Sequence, residues 1–184
     1  GAGSTQPIMV SWAGGIGGEA ASFDGNDALA TAANILPTAA GAGFSIFIVG
    51  SFVDLNFRCK LLTNATSGGV AISQGGGGTG KLQRWKVGSA FDDNGAARTT
   101  PFSMLMIDQV GASPASEMFV DRVLVATTAA NGQVITPSGK LYLGASATTN
   151  FDSGLIRQVI VINGRVSAAT QALLFAYSLA RNGV

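Results

Sequence analysis

The chain has no histidine, one cysteine and few charges. Without histidine, no side chain has its ordinary pKa near neutrality. Ser–His and Cys–His nucleophile pairs, histidine general bases and histidine metal sites are excluded together. The single cysteine, Cys59, rules out an intramolecular disulfide framework and a conventional zinc site. With Phe57 and Leu61 on its strand face, it is expected to be a buried, inert thiol. Only two glutamates occur, Glu19 and Glu117. Neither has an acidic neighbour at the spacing of glycoside hydrolysis, where two carboxyl groups face each other about 5–10 Å apart. Asp92 and Asp93 are adjacent, so on a strand they would face opposite ways. Beside Asn94-Gly95 they are expected in a solvated turn. The chain is therefore expected not to be an enzyme.

Charged residues make up 11% of the 184 residues, and the formal net charge is +1; about 25% is usual. No basic stripe with interleaved aromatics is present, so no nucleic-acid partner is expected. The longest apolar run, Phe44 to Val53, is closed by Asp54 and is too short to span a bilayer, so no membrane partner is expected either. The opening residues, Gly1 to Gln6, have neither the basic end nor the apolar stretch of a secretory signal. A surface left to Ser, Thr, Asn, Gln, Gly and Ala repels other copies weakly. A homo-oligomer, or a place among other assembly proteins, is the expectation.

Short β-type runs separated by turn signals fill most of the chain. Phe44 to Phe52 places Phe44, Ile46 and Ile48 on one face and Phe47 and Val49 on the other, the pattern of a strand buried on both sides. Further runs are expected at 58–62, 69–73, 81–87, 102–110, 118–126, 140–143 and 155–162. Asn94-Gly95, Asn131-Gly132 and Asn163-Gly164 mark turns, because both residues tolerate positive φ. Only the end has helical period. Ser167 can cap it, Ala169, Ala172, Leu173, Ala176 and Ala180 share one stripe, Tyr177 falls on a face that reads as core, Arg181 suits its negative end and Gly183 can close it. Spacing and turn chemistry predict an all-β antiparallel sandwich with one short C-terminal helix. Residues 1–21 read as an extended N-terminal arm, whose Ile8, Val10 and Trp12 are candidates for contact with a partner. Residues 22–184 read as a single domain.

The run Gly75-Gly-Gly-Gly-Thr-Gly80-Lys81 satisfies G-x-x-x-x-G-K. A phosphate loop also needs Ser or Thr after the lysine and a helix facing the phosphates. Position 82 is Leu, and Lys81 to Val87 reads as a strand, so a hairpin tip is expected. On that strand Trp85, with Gln83 on the same face, is the candidate sugar-stacking residue; the alternative fate of the ring is core filling or packing against a partner.

The order of several pieces resembles concanavalin A-like, laminin-G-like jelly-roll domains. Phe23-Asp24-Gly25-Asn26-Asp27 resembles their "F-D-G-x-D" turn. Phe102 to Asp108 followed by Glu117 to Val125 resembles the hairpin that carries "Y-V-D-G", with Arg122 in place of the glycine. Leu141-Tyr142-Leu143-Gly144 and Phe151 to Val161 resemble "L-x-I-G" and "F-x-G-x-I-x-x-V-x-I". The resemblance implies a two-sheet jelly roll, a fold whose functions range over lectins, adhesins, virion proteins and glycan-cleaving enzymes. It also implies that the first and last strands pair, which would bring Asp152 near Asp24, Asn26 and Asp27. Those four form a candidate calcium site, since calcium asks only for oxygen ligands; the alternative is that Asp24 and Asp27 hydrogen-bond the turn backbone. No other cofactor is expected.

The leading functional expectation is a non-enzymatic structural protein on a large assembly, namely a phage or virus virion surface (capsid decoration, head fibre or tail component). The alternative is an extracellular, carbohydrate-binding lectin-like module with a glycan partner. A glycan-active enzyme is a third reading.

Overall fold

Residues Phe44–Ser51 are β-branched and aromatic almost throughout, and every one of them is buried. Such a run needs apolar partners on both faces, so it forms the centre of a sheet. The computed structural model describes residues 6, 8–12, 17–24, 27, 29–33, 35, 43–51, 70–74, 81–86, 92–97, 101–108, 116–128, 141–143 and 153–184; for 70–74, 81–86, 92–97, 108, 116, 126, 128, 142 and 153 it describes the backbone.

Twelve strands and one helix occur among these residues. They are β1 (Ile8–Ser11), β2 (Glu19–Asp24), β3 (Leu29–Ala30), β4 (Phe44–Ser51), β5 (Val70–Gln74), β6 (Lys81–Lys86) and β7 (Asp92–Ala97), followed by β8 (Phe102–Asp108), β9 (Ser116–Val120), β10 (Val123–Thr128), β11 (Tyr142–Leu143), β12 (Ser153–Asn163) and α1 (Ala168–Asn182). Seven strands form one sheet in the order β1-β2-β12-β4-β8-β9-β10; β11-β3 and β5-β6-β7 form two smaller sheets. Every pairing is antiparallel. The described residues are thus mostly antiparallel β-sheet with one short C-terminal helix, as the spacing and turn chemistry predict.

Alternation along the strands sorts side chains into two cores. Phe44, Ile46 and Ile48 of β4 join Phe102, Met104 and Met106 of β8 on one face, with Phe23, Met118 and Leu141. Leu143 of β11 packs on the same cluster. Phe47 and Val49 join Leu105, Ile107, Trp12 and Phe175 on the opposite face, under α1. The face assignments read from 44–49 are those observed.

Strand β12 departs from simple alternation. Its register against β4 shifts between Ile156 and Gln158, so Arg157 is an extra residue. A β-bulge of this kind re-aims side chains. Ile156 lies in the first core, yet beyond the bulge that core is met by Val159 and Val161. Leu155 before the bulge and Ile160 after it meet the helix-side core.

Helix α1 is capped as expected. The Thr170 amide donates to Ser167 Oγ at 3.2 Å. Gly183 takes φ 77, and its amide donates to Leu179 O at 3.2 Å. Ser45, fully buried on β4, ties the entry to the helix: its Oγ donates to Gly164 O at 2.9 Å and accepts from Val166 N at 3.2 Å.

Four readings are corrected. Ala169, Ala172, Leu173, Ala176 and Ala180 are all exposed; the buried helix residues are Phe175, Ser178 and Asn182. Phe175 sets the face, since its ring meets Phe47 edge-on with centroids 5.4 Å apart. Tyr177, read as core, is 43% exposed. The 8–11 and 19–24 segments, largely assigned to an arm, are strands of the large sheet because they pair with each other and β2 pairs with β12. Asn94-Gly95, read as a turn, lies within β7 at a register shift opposite β6. There the glycine serves a bulge and not a reversal. The expected run at 58–62, Cys59, the glycine-rich 75–80 and Asn131-Gly132 lie outside the described residues.

Candidate functional site

The β5-β6-β7 sheet places Gln83 and Trp85 at alternate positions of its middle strand. Trp85 stands opposite Ala71 and Gln83 opposite Ser73 on β5, while Asp93 of β7 stands opposite Gln83. Directly opposed and alternate residues share a face. By backbone register, Trp85, Gln83, Ser73 and Asp93 therefore fall on one face of this sheet. The residue after the glycine run, Lys81, opens β6, so the phosphate-loop pattern is followed by a strand and not a helix.

The acidic turn is partly described. Asp27 is buried, at 3% exposure, and its Oδ2 accepts from the Asp24 amide at 3.3 Å. This is the turn-holding role that competes with calcium binding. The pairing of β2 with β12 is observed, with Ser153 opposite Asp24. Asn26 and Asp152 lie outside the described residues. Among the described residues no three acidic, cysteine or histidine side chains gather as a metal site requires.

The three partner-contact candidates separate. Ile8 is 67% exposed on β1, the edge of the sheet among the described residues, and Val10 is half-buried. Trp12 corrects its assignment: it is 6% exposed in the helix-side core, and its Nε1 donates to Asn182 O at 2.8 Å. An indole that can bury its ring and satisfy its N–H inside its own chain is a core residue.

A polar knot surrounds that indole. Asn182, 1% exposed, accepts from Arg157 Nε through Oδ1 at 3.1 Å. Its Nδ2 donates to Gln158 Oε1 at 3.1 Å and to Ser178 Oγ at 3.4 Å. The bulge explains how two consecutive residues, Arg157 and Gln158, both reach the helix. Arg157 also donates to the backbone carbonyls of Glu19 and Gly17. Gly18, at φ 127, lies so close that a Cβ there would overlap the Arg157 guanidinium.

A groove that sequence reasoning missed runs between α1 and the β9–β10 hairpin. It comprises a cavity of about 390 Å³ lined by Pro101, Ser103, Asp121, Arg122, Leu179 and Val184. A second, of about 320 Å³, is lined by Phe119, Arg122, Gln171, Ala172, Phe175 and Ala176, among others. Arg122 borders both. Asp121 and Arg122 form the two-residue turn of the hairpin, with φ 47 and 73. Aspartate tolerates this left-handed backbone; for arginine it costs roughly 1–2 kcal/mol. The signal in the sequence was arginine where the resembling hairpins carry glycine. Its placement beside α1 required the fold.

No protein-family model matches the chain, and no curated protein does. Solved structures match in fold. Domain 4 of AbnA, a GH43 extracellular arabinanase from Geobacillus stearothermophilus, solved in complex with arabinotriose, aligns with a TM-score of 0.69 at 14% identity, over 91% of this chain and 81% of that one. An arabinofuranosidase complexed with arabinofuranosyl-alpha-1,2-xylobiose aligns with a TM-score of 0.70 at 9% identity, over 97% of this chain and 44% of its own length. The binding domain of botulinum neurotoxin serotype D aligns with a TM-score of 0.69 at 10% identity, over 96% and 46%. The chain thus spans less than half of the latter two. At these identities what is shared is the β-sandwich fold.

Proposed function

We propose that this chain is a non-catalytic carbohydrate-binding module on a two-sheet jelly roll, acting in an extracellular setting, with β3-β11 and β5-β6-β7 forming the layer opposite the large sheet. The observation that carries this reading is the fold shared over most of both chains with an arabinanase domain solved with arabinotriose. In this reading Trp85 is the stacking ring and Gln83 its polar neighbour; the backbone register, which sets Ser73 and Asp93 opposite Gln83, is compatible with that role. Non-catalysis rests on the missing histidine and on Glu19 and Glu117 as the only glutamates; Glu117 is ion-paired with Arg165. A glycan array read with the intact chain tests the proposal. Binding should fall by tenfold or more in Trp85→Ala, since stacking on an aromatic is worth about 1–3 kcal/mol in comparable ring contacts. Absence of binding to any glycan, or undiminished binding by Trp85→Ala, would overturn the assignment.

A second reading, assembly on a virion surface, is favoured by one feature. Edge strand β1 presents Ile8 and Met9, 67% and 57% exposed, without a charge on the strand. An uncharged apolar edge invites pairing with another copy. None of the three matched structures named above is a virion protein, so this reading stands second. Light scattering of the intact chain at high concentration should then show mass above the monomer, reduced in Ile8→Lys; a strict monomer counts against assembly.

A further inference from the structure

The groove beside Arg122 has a charge arrangement that the sugar-binding reading does not use. Among the described residues no hydrogen bond or ion pair engages the Arg122 guanidinium. The neighbouring acids are committed elsewhere. Asp121 Oδ1 accepts from Ser103 N at 2.9 Å and Ser103 Oγ at 3.4 Å, and Glu117 is held by Arg165. The smaller cavity also borders the first turn of α1 through Ala168 and Gln171. That turn contains no acidic residue, so beyond the Ser167 cap on the Thr170 amide no side-chain charge offsets the partial positive charge of the helix N-terminus. Two sources of positive potential therefore border one cavity whose remaining walls, Phe119, Ala172, Phe175 and Ala176, are apolar. Asp121 borders only the larger cavity, which makes the smaller one the better seat for an anion.

We propose that this groove binds a small amphiphilic carboxylate. The carboxylate is received by Arg122 on the side of the α1 N-terminus, and the apolar body lies along Phe119, Ala172 and Ala176. At about 320 Å³ the cavity falls at the lower end of the roughly 300–1,000 Å³ range of small-ligand sites. A peptide is the poorer occupant, because β9 is already hydrogen-bonded on both sides, to β8 and β10, and offers no free edge. The left-handed backbone at Arg122 fits this assignment: strain that a glycine would relieve is retained where a guanidinium is needed.

Titration calorimetry with the intact chain tests the proposal, using octanoate, its neutral analogue octanamide, and a Gly-Leu-Leu peptide with free carboxylate. Octanoate should bind with a Kd on the order of 1 mM, and octanamide about tenfold or more weakly, the usual consequence of losing a charge-assisted bond. Arg122→Gly should lose that same factor for octanoate while its melting temperature holds or rises, which a purely structural arginine would not show. Ala172→Glu, an exposed helix position, should also weaken octanoate binding. Equal affinity for octanoate and octanamide, an unchanged affinity in both variants, no binding of octanoate, or binding of the peptide alone would each overturn the proposal.

Discussion

Phe47→Ala should lower the unfolding free energy by about 3–5 kcal/mol and abolish the packing of α1 on the sheet. Phe47 is completely buried in the middle of β4. Its ring meets Phe175 at an interplanar angle of 78°, an edge-to-face geometry worth roughly a further 0.5–1.5 kcal/mol beyond area burial. The strand on which it sits is paired on both sides, by β12 and by β8, so the cavity left behind has little freedom to collapse. Domains of this size have only about 5–15 kcal/mol in hand, and the loss would consume a large share of it. Urea unfolding followed by far-ultraviolet circular dichroism gives the figure. Leu173→Ala is the control: Leu173 is 70% exposed, and its truncation should change stability by less than about 0.5 kcal/mol. Equal losses at the two positions would mean that the helix packs through the stripe read from sequence and not through Phe175.

The second expectation concerns the polar knot at the end of the helix. Asn182→Ala should cost about 2–3 kcal/mol, because it strips three partners at once. Arg157 Nε loses its acceptor, and Gln158 Oε1 and Ser178 Oγ lose a donor. Asn182 is 1% exposed and Ser178 is fully buried, so the loss falls mainly on the buried side of the knot, while Arg157 and Gln158 are half-buried. The Trp12 bond, made to the backbone carbonyl of Asn182, survives the substitution in principle. Tryptophan fluorescence should therefore change less than stability does. Asn182→Asp keeps an acceptor for Arg157 but loses the amide donor, and should fall between the wild type and Asn182→Ala. If all three proteins unfold at the same urea concentration, the knot contributes nothing to stability.

How much of this was legible in the sequence depends on contrast. The faces of 44–49 could be read residue by residue, because a β-branched and aromatic run admits one periodicity. The caps of α1 were legible because Ser167 and Gly183 each solve a local hydrogen-bonding or backbone problem. The buried face of α1 was not. Alanines differ little from their neighbours in apolar area, so Phe175, Ser178 and Asn182 outvoted a longer stripe of weaker residues. Strands β1 and β2 were hidden for a related reason: Ile8–Ser11 and Glu19–Asp24 are short and set among glycine and alanine. Their strand character comes from pairing with each other and of β2 with β12, which local sequence does not display. Asn94-Gly95 shows the converse, a strong turn signal absorbed by a sheet. At the candidate sites, Gln83 and Trp85 could be placed on one face by alternation alone. The groove could not be foreseen, because Arg122, Phe119 and Gln171 meet only once α1 has folded back over the hairpin.

The extra residue in β12 has a consequence for how the strand can vary. Residues before Arg157 and residues after Gln158 are written in two different phases of in-and-out alternation, and the bulge is the single point where one is converted into the other. A change of side chain at 157 would disturb the knot around Asn182. A change of length there would do something else: removing residue 157 leaves Leu155, Ile156, Gln158, Val159 and Ile160 in unbroken alternation, with every apolar group still on its own core. Adding a residue beside the bulge is the change that turns one half of the strand inside out, so that either Leu155 and Ile156 or Val159 to Ile162 present their apolar groups to the wrong core. The strand behaves like a message carrying one letter in excess, closed to a further insertion and still in phase when the letter at 157 is lost.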